Sequence, residues 1–170
     1  MGIDANAVGL RPFSGRALRA GLSNVIYVRA AVEDLPPALA GIADHVSVVL
    51  PWGSLLAAVA GPSTTVLRGV RGLCRPGATL EVVLGCEPVR DLGELARLGL
   101  PALAEAALPG RLAAGYEAAG FALTCVRPIA PGDLARWPST WARRLAHGRD
   151  RSFLRVVARA SSATEAAGAC

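Results

Sequence analysis

The chain has 170 residues, of which 52% are apolar, and this is enough for one domain with a sizeable core. Its four Cys contain no C-x-x-C pair and are accompanied by only two His, which argues against a metal site and against a disulfide framework. We therefore expect a reducing, cytoplasmic environment and no signal peptide. Residues 46–67 carry no charge, but Pro51, Gly53 and Pro62 interrupt them and argue against a transmembrane helix.

The basic charge is concentrated in one late segment. All 18 basic residues are Arg, and the formal net charge is +5. Residues 1–135 hold 11 Arg and 11 acidic residues, whereas residues 136–159 hold seven Arg and a single acid, Asp150. A smaller basic stretch near the start contains Arg11, Arg16, Arg19 and Arg29. Two basic regions around a slightly acidic middle fit a polyanion bound at defined places, and the alternative is a solvated surface.

Strand and helix patterns alternate along the first half of the chain. The predicted elements are a strand end at residues 1–4, an irregular helix at residues 5–20 limited by Pro12 and Gly15, a strand at residues 25–30, a loop at residues 33–36, a turn of helix at residues 38–42 and a strand at residues 46–50.

The turn after residues 46–50 is the centre of the predicted site. Pro51 ends the strand, Gly53 permits a tight turn, and Ser54 is predicted to cap the helix that begins at Leu55. Trp52 is then held at the carboxyl edge of a sheet, where open α/β folds bind their ligands. The alternative is that Trp52 plugs the end of the core.

The second half of the chain continues the alternation and ends in two strands. The predicted elements are a helix from Ser63 to Leu73, a turn at residues 75–77, a strand at residues 79–84, helices at residues 91–98 and 100–119, and strands at residues 121–129 and 153–159. Such an order implies a parallel sheet with right-handed crossovers and allows an antiparallel pair at its end.

Five short stretches resemble one known family, in the order that the family has them. They read Gly-Ile-Asp-Ala at residues 2–5, Ser-Asn-Val-Ile-Tyr-Val at residues 23–28, Ala-Ala-Val-Glu-Asp-Leu-Pro at residues 30–36, Leu-Pro-Trp-Gly-Ser-Leu-Leu at residues 50–56, and a segment at residues 139–153 that contains Trp-Ala-Arg-Arg-Leu. Over about residues 1–159 they closely resemble the aminoglycoside-resistance 16S rRNA adenine-N1 methyltransferases of the kanamycin–apramycin resistance type.

The resemblance implies an α/β fold, namely the Rossmann-like fold of class I S-adenosylmethionine-dependent methyltransferases. The methyltransferase domain would cover residues 1–160, with an RNA-binding insert at residues 130–152 and a disordered tail at residues 161–170. The implied partner is the 16S rRNA of the 30S ribosomal subunit, bound by a monomer without a metal and without a membrane.

The resemblance also implies a role for individual residues. The adenine to be methylated would be sandwiched by Trp52 and Trp141 and positioned with the help of Ser54 and Ser139. S-adenosylmethionine would be bound by Asp4, through its ribose hydroxyls, and by Ala31, Val32, Glu33 and Leu50. The rRNA backbone would be contacted by Arg16, Arg19, Arg143, Arg144, Arg149 and Arg151.

Elementary chemistry supports such a site. An adenine inside a duplex cannot present N1 to a methyl donor, so it must be extruded and held. Two indoles supply stacking surface worth roughly 1–3 kcal/mol per stacked base. Because N1 is neutral and already nucleophilic, positioning can replace a strong general base. The ring becomes cationic on methylation, and an indole face attracts that charge.

One feature departs from the family. Its members carry a first strand and a Gly-rich loop before the position of Asp4, whereas this chain starts three residues before Asp4 and shows no G-x-G pattern after a strand. We therefore expect the fold to lack that strand and its helix, which would leave residues 25–30 and 46–50 without a common neighbour. We also expect the 170 residues alone to bind S-adenosylmethionine poorly in calorimetry and not to protect cells from kanamycin or apramycin.

Two alternatives remain open at this point. The chain could be an enzyme of the same superfamily that acts on another RNA. It could also be a truncated, non-catalytic RNA-binding fragment that cannot hold the cofactor.

Overall fold

The computed structural model describes residues 1–61, 63–86, 91–100, 108–137, 139–146 and 151–162. The chain divides into two compact units, Met1–Ala40 and Gly41–Cys170. Within the described residues, no helix is both long and apolar enough to cross a membrane.

The first unit is a small βαβ arrangement. Strand β1 (Gly2–Asp4) pairs in parallel with strand β2 (Tyr27–Arg29), and helix α1 (Ala7–Arg19) connects them. Helix α1 begins after Asn6, whose side-chain oxygen accepts a hydrogen bond from the backbone N–H of Val8 at 2.9 Å. The helix continues through Pro12, so the predicted interruption is wrong. The turn of helix predicted at residues 38–42 is a 3₁₀ helix over Pro37–Leu39.

The second unit contains the remaining elements. They are strand β3 (Ala43–Val49), helices α2 (Gly53–Ala60) and α3 (Thr64–Leu73), strand β4 (Cys74–Cys86), helices α4 (Leu92–Arg97) and α5 (Leu108–Ala118), strand β5 (Phe121–Ile129), a 3₁₀ helix (Pro131–Arg136), helix α6 (Thr140–Leu145) and strand β6 (Ser152–Ala160). Part of the helix predicted at residues 100–119, the residues 101–107, lies outside the described residues, as do residues 163–170 of the predicted tail.

The strands of the second unit form one sheet in the order β3-β4-β6-β5. Strands β3 and β4 are parallel, whereas β6 runs antiparallel to both β4 and β5. The predicted antiparallel pair at the end of the sheet is therefore confirmed. In the first unit β2 pairs with β1, and in the second unit β3 pairs with β4, so among the described strands residues 25–30 and 46–50 share no neighbour.

The predicted turn at residues 75–77 is instead an irregularity inside β4. Ala43 pairs with Cys74 and His45 with Thr79, so the single residue Asp44 of β3 lies opposite the four residues 75–78 of β4. Gly77 has a φ of +75°, which lets the extra residues of β4 leave the regular ladder. Pro76 and Gly77 therefore form a bulge and not a chain reversal, because β4 runs parallel to β3 both before and after them.

The two faces of the sheet differ in what covers them. Leu80, Val82 and Leu84 of β4 are fully buried on one face, where α2 contacts β4 and α5 contacts β5. Alternate residues of β4 face the other side, which is covered by the residues between β5 and β6. Here one apolar cluster forms, which we call the Trp137 cluster; its members are Val83, Ile129, Leu134, Trp137, Ala142 and Phe153.

Gly85 of β4 brings two segments together above the Trp137 cluster. A Cβ at this position would lie 2.8 Å from Leu50 Cδ2 and 2.9 Å from Phe153 Cε1, so those side chains occupy the space that a larger residue would need. Leu50, which follows β3, donates its backbone N–H to Val83 O at 2.8 Å. The close approach fixes the segment after β3 against β4 and β6.

Gly85→Ala tests this constraint. We expect the substitution to lower the free energy of unfolding by about 1–3 kcal/mol, because the added methyl must displace Leu50 and the buried Phe153 ring. Equilibrium urea unfolding measures the change.

Gly72→Ala is the matched control. Gly72 lies in α3, where a Cβ would meet nothing within 4 Å, so Ala should raise stability by about 0.4–1 kcal/mol. Equal effects of the two substitutions would contradict the close packing at Gly85.

Candidate functional site

A strained turn presents Trp52 at the end of β3. Leu50 has a φ of +52° and Gly53 a φ of +59°, so the backbone turns twice through the left-handed region on either side of Pro51 and Trp52. For a bulky residue such as Leu this conformation costs on the order of 1–3 kcal/mol and is maintained only by its surroundings. The result is that Trp52 is 54% exposed instead of being folded into the core.

The prediction that Ser54 caps the following helix is wrong. Helix α2 begins at Gly53, after Trp52 in an extended conformation, and no side chain caps it. Ser54 therefore lies within the first turn and is exposed.

Helix α6 presents Trp141 in a similar way. Ser139 is the N-cap residue, and its Oγ accepts a hydrogen bond from the backbone N–H of Ala142 at 3.2 Å. Ala142 is fully buried in the Trp137 cluster, whereas its neighbour Trp141 is 48% exposed. Neither Trp52 nor Trp141 plugs the core, so that alternative is excluded. The buried indole is that of Trp137, at 8% exposure.

Strand directions bring both tryptophans to one edge of the larger sheet. Gly85 and Ile129 are both in register with Phe153, so the end of β4, the end of β5 and the start of β6 meet there. The segment after β3 leaves at the same place, because Leu50 packs against the Trp137 cluster. We call this the carboxyl edge. Trp52 and Trp141 thus stand on two segments that are anchored to the same cluster.

A buried carboxylate lies beneath the segment that carries Trp141. Glu81 is 9% exposed and accepts hydrogen bonds from Trp137 Nε1 at 2.9 Å and from Arg155 Nε at 2.6 Å. Burial raises the pKa of Glu81, whereas its two hydrogen bonds and the charge of Arg155 lower it. The lowering effects together are the larger, so the pKa of Glu81 lies below the ordinary 4.5. The carboxylate is therefore ionised at neutral pH.

Glu81 lines an open cleft with a volume of about 420 Å³, and Ser47 and Arg127 also line it. His45 Nε2 lies 3.8 Å from Glu81 Oε2. The sequence does not predict this polar group, because a single carboxylate in an apolar strand has no recognisable partner until the register of the strands is known.

The late Arg residues divide into two groups. Four of them are held by the protein itself. Arg136 pairs with Asp133, Arg151 with Asp91 and Arg155 with Glu81, while Arg159 donates to the carbonyl of Gly77. Three of these four Arg thus pair with carboxylates that lie outside residues 136–159.

The second group is free to meet a ligand. Arg143 and Arg144 are exposed in the last turn of α6, and neither forms an ion pair with any residue that the structure describes. Arg149 lies outside the described residues. Arg151, although it belongs to the first group, could also meet a ligand. Its guanidinium lies 3.1 Å from the buried carboxylate of Asp91 and is still partly exposed to solvent. Its position is thus fixed by the protein before any ligand binds.

The first unit places the predicted cofactor residues at one edge of its two-stranded sheet. Asp4 ends β1, and the turn that contains Ala31, Val32 and Glu33 follows β2, which runs parallel to β1. Asp4 Oδ1 accepts the backbone N–H of Asn6 at 2.7 Å, and its carboxylate is exposed. An exposed carboxylate beside a short apolar turn suits a ribose diol and an adenine ring, so these residues fit the adenosine part of S-adenosylmethionine.

Two basic residues of the first unit were also predicted to bind RNA. Arg16 and Arg19 lie in the last turn of α1 and are exposed. The Arg16 guanidinium stacks 4.9 Å from the centre of the Phe13 ring, which restrains the side chain at the surface. Their contact with RNA stays a prediction.

Comparison with known proteins identifies the family. The model of the NpmA family, described as 16S rRNA (adenine(1408)-N(1))-methyltransferase, matches residues 1–160. A 16S rRNA (adenine(1408)-N(1))-methyltransferase of Escherichia coli is 38% identical over 139 residues, which is 81% of this chain and 64% of the relative. The chain therefore spans slightly less than two thirds of that relative's length.

Two solved structures share the fold. The aminoglycoside resistance methyltransferase NpmB1 superposes with a TM-score of 0.74 at 44% identity, over 92% of this chain and 74% of that one. A 16S rRNA (adenine(1408)-N(1))-methyltransferase from Catenulisporales acidiphilia, with cosubstrate SAM, gives 0.78 at 32% identity, over 95% and 75% of the chains. The α/β methyltransferase fold is thus confirmed. The chain belongs to the 16S rRNA (adenine(1408)-N(1))-methyltransferase family.

Proposed function

We propose that this chain transfers a methyl group from S-adenosylmethionine to N1 of adenine 1408 of 16S rRNA and so confers aminoglycoside resistance. This proposal replaces the expectation that the 170 residues alone are inactive, because Asp4 and the turn after β2 lie at one edge of a parallel strand pair. The observation that carries the proposal is the placement of two indoles, Trp52 and Trp141, largely exposed on two segments at one sheet edge. Exposed tryptophans are costly in water, and a pair held on rigid supports is the arrangement that a flipped base requires.

Trp52 and Trp141 would hold the adenine between their ring faces. Each stacked face contributes on the order of 1–3 kcal/mol, which offsets the unstacking of the base from its RNA helix. The strained turn at Leu50 and the Ser139 cap fix the two indoles in advance, so little side-chain entropy is lost when the base enters.

The reaction requires positioning more than acid–base chemistry. When bound, S-adenosylmethionine supplies a methyl group activated by its sulfonium. The nucleophile, adenine N1, carries no proton, so no residue of the chain must remove one. The indole faces attract the positive charge that develops on the ring, by on the order of 1–2 kcal/mol in a desolvated site. Ser54 would be available to position the base, whereas Ser139 would act through the helix that it caps.

Residues of the first unit would bind the cofactor. The Asp4 carboxylate retains acceptor capacity beside its bond to Asn6 and would accept hydrogen bonds from the ribose hydroxyls. Ala31, Val32 and Glu33 would line the adenine ring. Leu50, also predicted as a cofactor contact, packs its side chain against the Trp137 cluster, and its contact with the cofactor stays a prediction.

Recognition of the RNA would rest on phosphate and shape. Arg143, Arg144, Arg149 and Arg151, together with the basic residues of α1, would contact the backbone of the folded rRNA. The assembled 30S subunit is the proposed substrate, and the chain would act on it as a monomer in the cytoplasm.

Substitution of the two tryptophans tests the proposal. Trp52→Ala and Trp141→Ala should each lower methylation of 30S subunits by more than about 100-fold, because loss of stacking and of base position both act on the transition state. Affinity for the 30S subunit should change by less than about fivefold, since phosphate contacts dominate binding. Primer extension, which stops at an N1-methylated adenine, reads the product at saturating S-adenosylmethionine.

Leu92→Ala is the control for loss of an exposed apolar side chain, because Leu92 of α4 is also largely exposed. It should leave methylation unchanged. Methylation at a nucleotide other than adenine 1408, or near-normal turnover by both Trp variants, would contradict the proposed function.

The basic residues give a separate prediction on binding. Arg144→Gln should weaken 30S binding and reduce the slope of log affinity against log salt by about 0.7–0.9, the contribution of one phosphate contact. Asp91→Asn should weaken binding through Arg151, because the guanidinium loses the buried charge that orients it.

Arg75→Gln is the charge-matched control. Arg75 pairs with Asp44 near the start of β4, at the end of the sheet opposite the carboxyl edge, so its loss should leave the salt slope unchanged. If the slope of log affinity against log salt were the same for Arg144→Gln as for the unchanged chain, Arg144 would not contact a phosphate and would only be part of the solvated surface.

A further inference from the structure

We propose that Glu81 is a positioning residue for Trp141, acting through the indole N–H of Trp137. The inference rests on the proposed role of Trp141 in holding the target base. Glu81 does not reach the carboxyl edge itself, because three residues of β4 separate it from Gly85.

The first step is the anchor. Glu81 is the one charged residue among the buried central residues 80–84 of β4, and both its carboxylate oxygens are engaged. A buried ion pair of this kind contributes little to stability compared with an apolar residue of similar size, but it fixes the geometry of the groups that it bonds. Its donors, Trp137 and Arg155, come from two different segments, and the bond to Trp137 ties the insert to the centre of the sheet.

The second step is the link from Trp137 to α6. Trp137 ends the 3₁₀ helix Pro131–Arg136, and its carbonyl accepts the backbone N–H of Ser139 at 2.7 Å. Ser139 then caps α6, and Trp141 lies in the first turn of that helix. An unbroken series of hydrogen bonds therefore joins Glu81 to the start of the helix that carries Trp141.

The third step is that α6 cannot hold its own direction. It has six residues, well below the length at which an isolated helix is stable in water. Trp141 is itself largely exposed, so its orientation is set by the helix start and by burial of Ala142. Apolar packing of the Trp137 ring permits rotation and sliding, whereas the N–H bond to Glu81 selects one orientation.

Trp137→Phe is the direct test, because Phe keeps an aromatic ring in the cluster and removes the N–H donor. We expect turnover to fall by about tenfold or more while 30S affinity stays within about twofold, since misplacement of the base acts on the chemical step. Glu81→Gln is the second variant. It keeps the size of the side chain and removes its charge, and the double variant should be no slower than the slower single variant.

A readout that does not depend on activity accompanies the kinetics. The chain has three Trp, so 5-fluorotryptophan gives three ¹⁹F resonances, which Trp52→Phe and Trp141→Phe assign. The Trp141 resonance should shift or broaden in Trp137→Phe and in Glu81→Gln. The Trp52 resonance should stay in place, which also shows that each variant is folded.

Tyr116→Phe is the matched control. It removes a buried hydrogen bond of similar length, from Tyr116 Oη to Val59 O at 3.1 Å, on the helix-covered face of the sheet. It should lower stability without changing turnover or the Trp141 resonance. An unmoved Trp141 resonance in both test variants overturns the positioning role. Absence of methylation by the unchanged chain contradicts the proposed function instead, and the ¹⁹F spectra still decide the inference.

Discussion

The carboxyl edge of the larger sheet depends on the close packing of Leu50 and Phe153 over Gly85. That contact holds the backbone after β3 in a left-handed conformation that a Leu would not adopt by itself. It also joins the turn that carries Trp52 to the apolar cluster in which Ala142 supports the neighbouring Trp141. Because Gly85 has no side chain, Leu50 and Phe153 can pack over it, and two segments some ninety residues apart in sequence are held at the same place.

The Arg residues of the second unit serve both the fold and the proposed binding of RNA. Most Arg residues of the late segment are used to fix the fold: Arg155 holds the buried Glu81, and Arg151 is held by the buried Asp91. Arg143 and Arg144 are exposed in the last turn of α6, the helix that presents Trp141. Contact with a phosphate and capture of a base would thus be made by one short element, so that binding of the RNA backbone would also place the base.

Much of this organisation could be predicted from the sequence, because it depends on local pattern. The strand at residues 121–129, the antiparallel pair at the end of the sheet and the exposed turn at Trp52 follow from periodicity and from Pro and Gly chemistry. The bulge near Gly77 and the partners of Glu81 could not be predicted, because they depend on register between distant strands. The residues that bind cofactor and RNA came from family resemblance, and they stay predictions.

The central claim is that Trp52 and Trp141 hold one extruded adenine at the carboxyl edge. The most direct measurement is a cryo-electron microscopy map of this chain bound to the 30S subunit. The account predicts density for adenine 1408 outside its helix, stacked between the two indole rings, with the guanidinium of Arg151 near a backbone phosphate. Density for adenine 1408 still stacked in its helix, or indole rings that contact no base, would contradict the account.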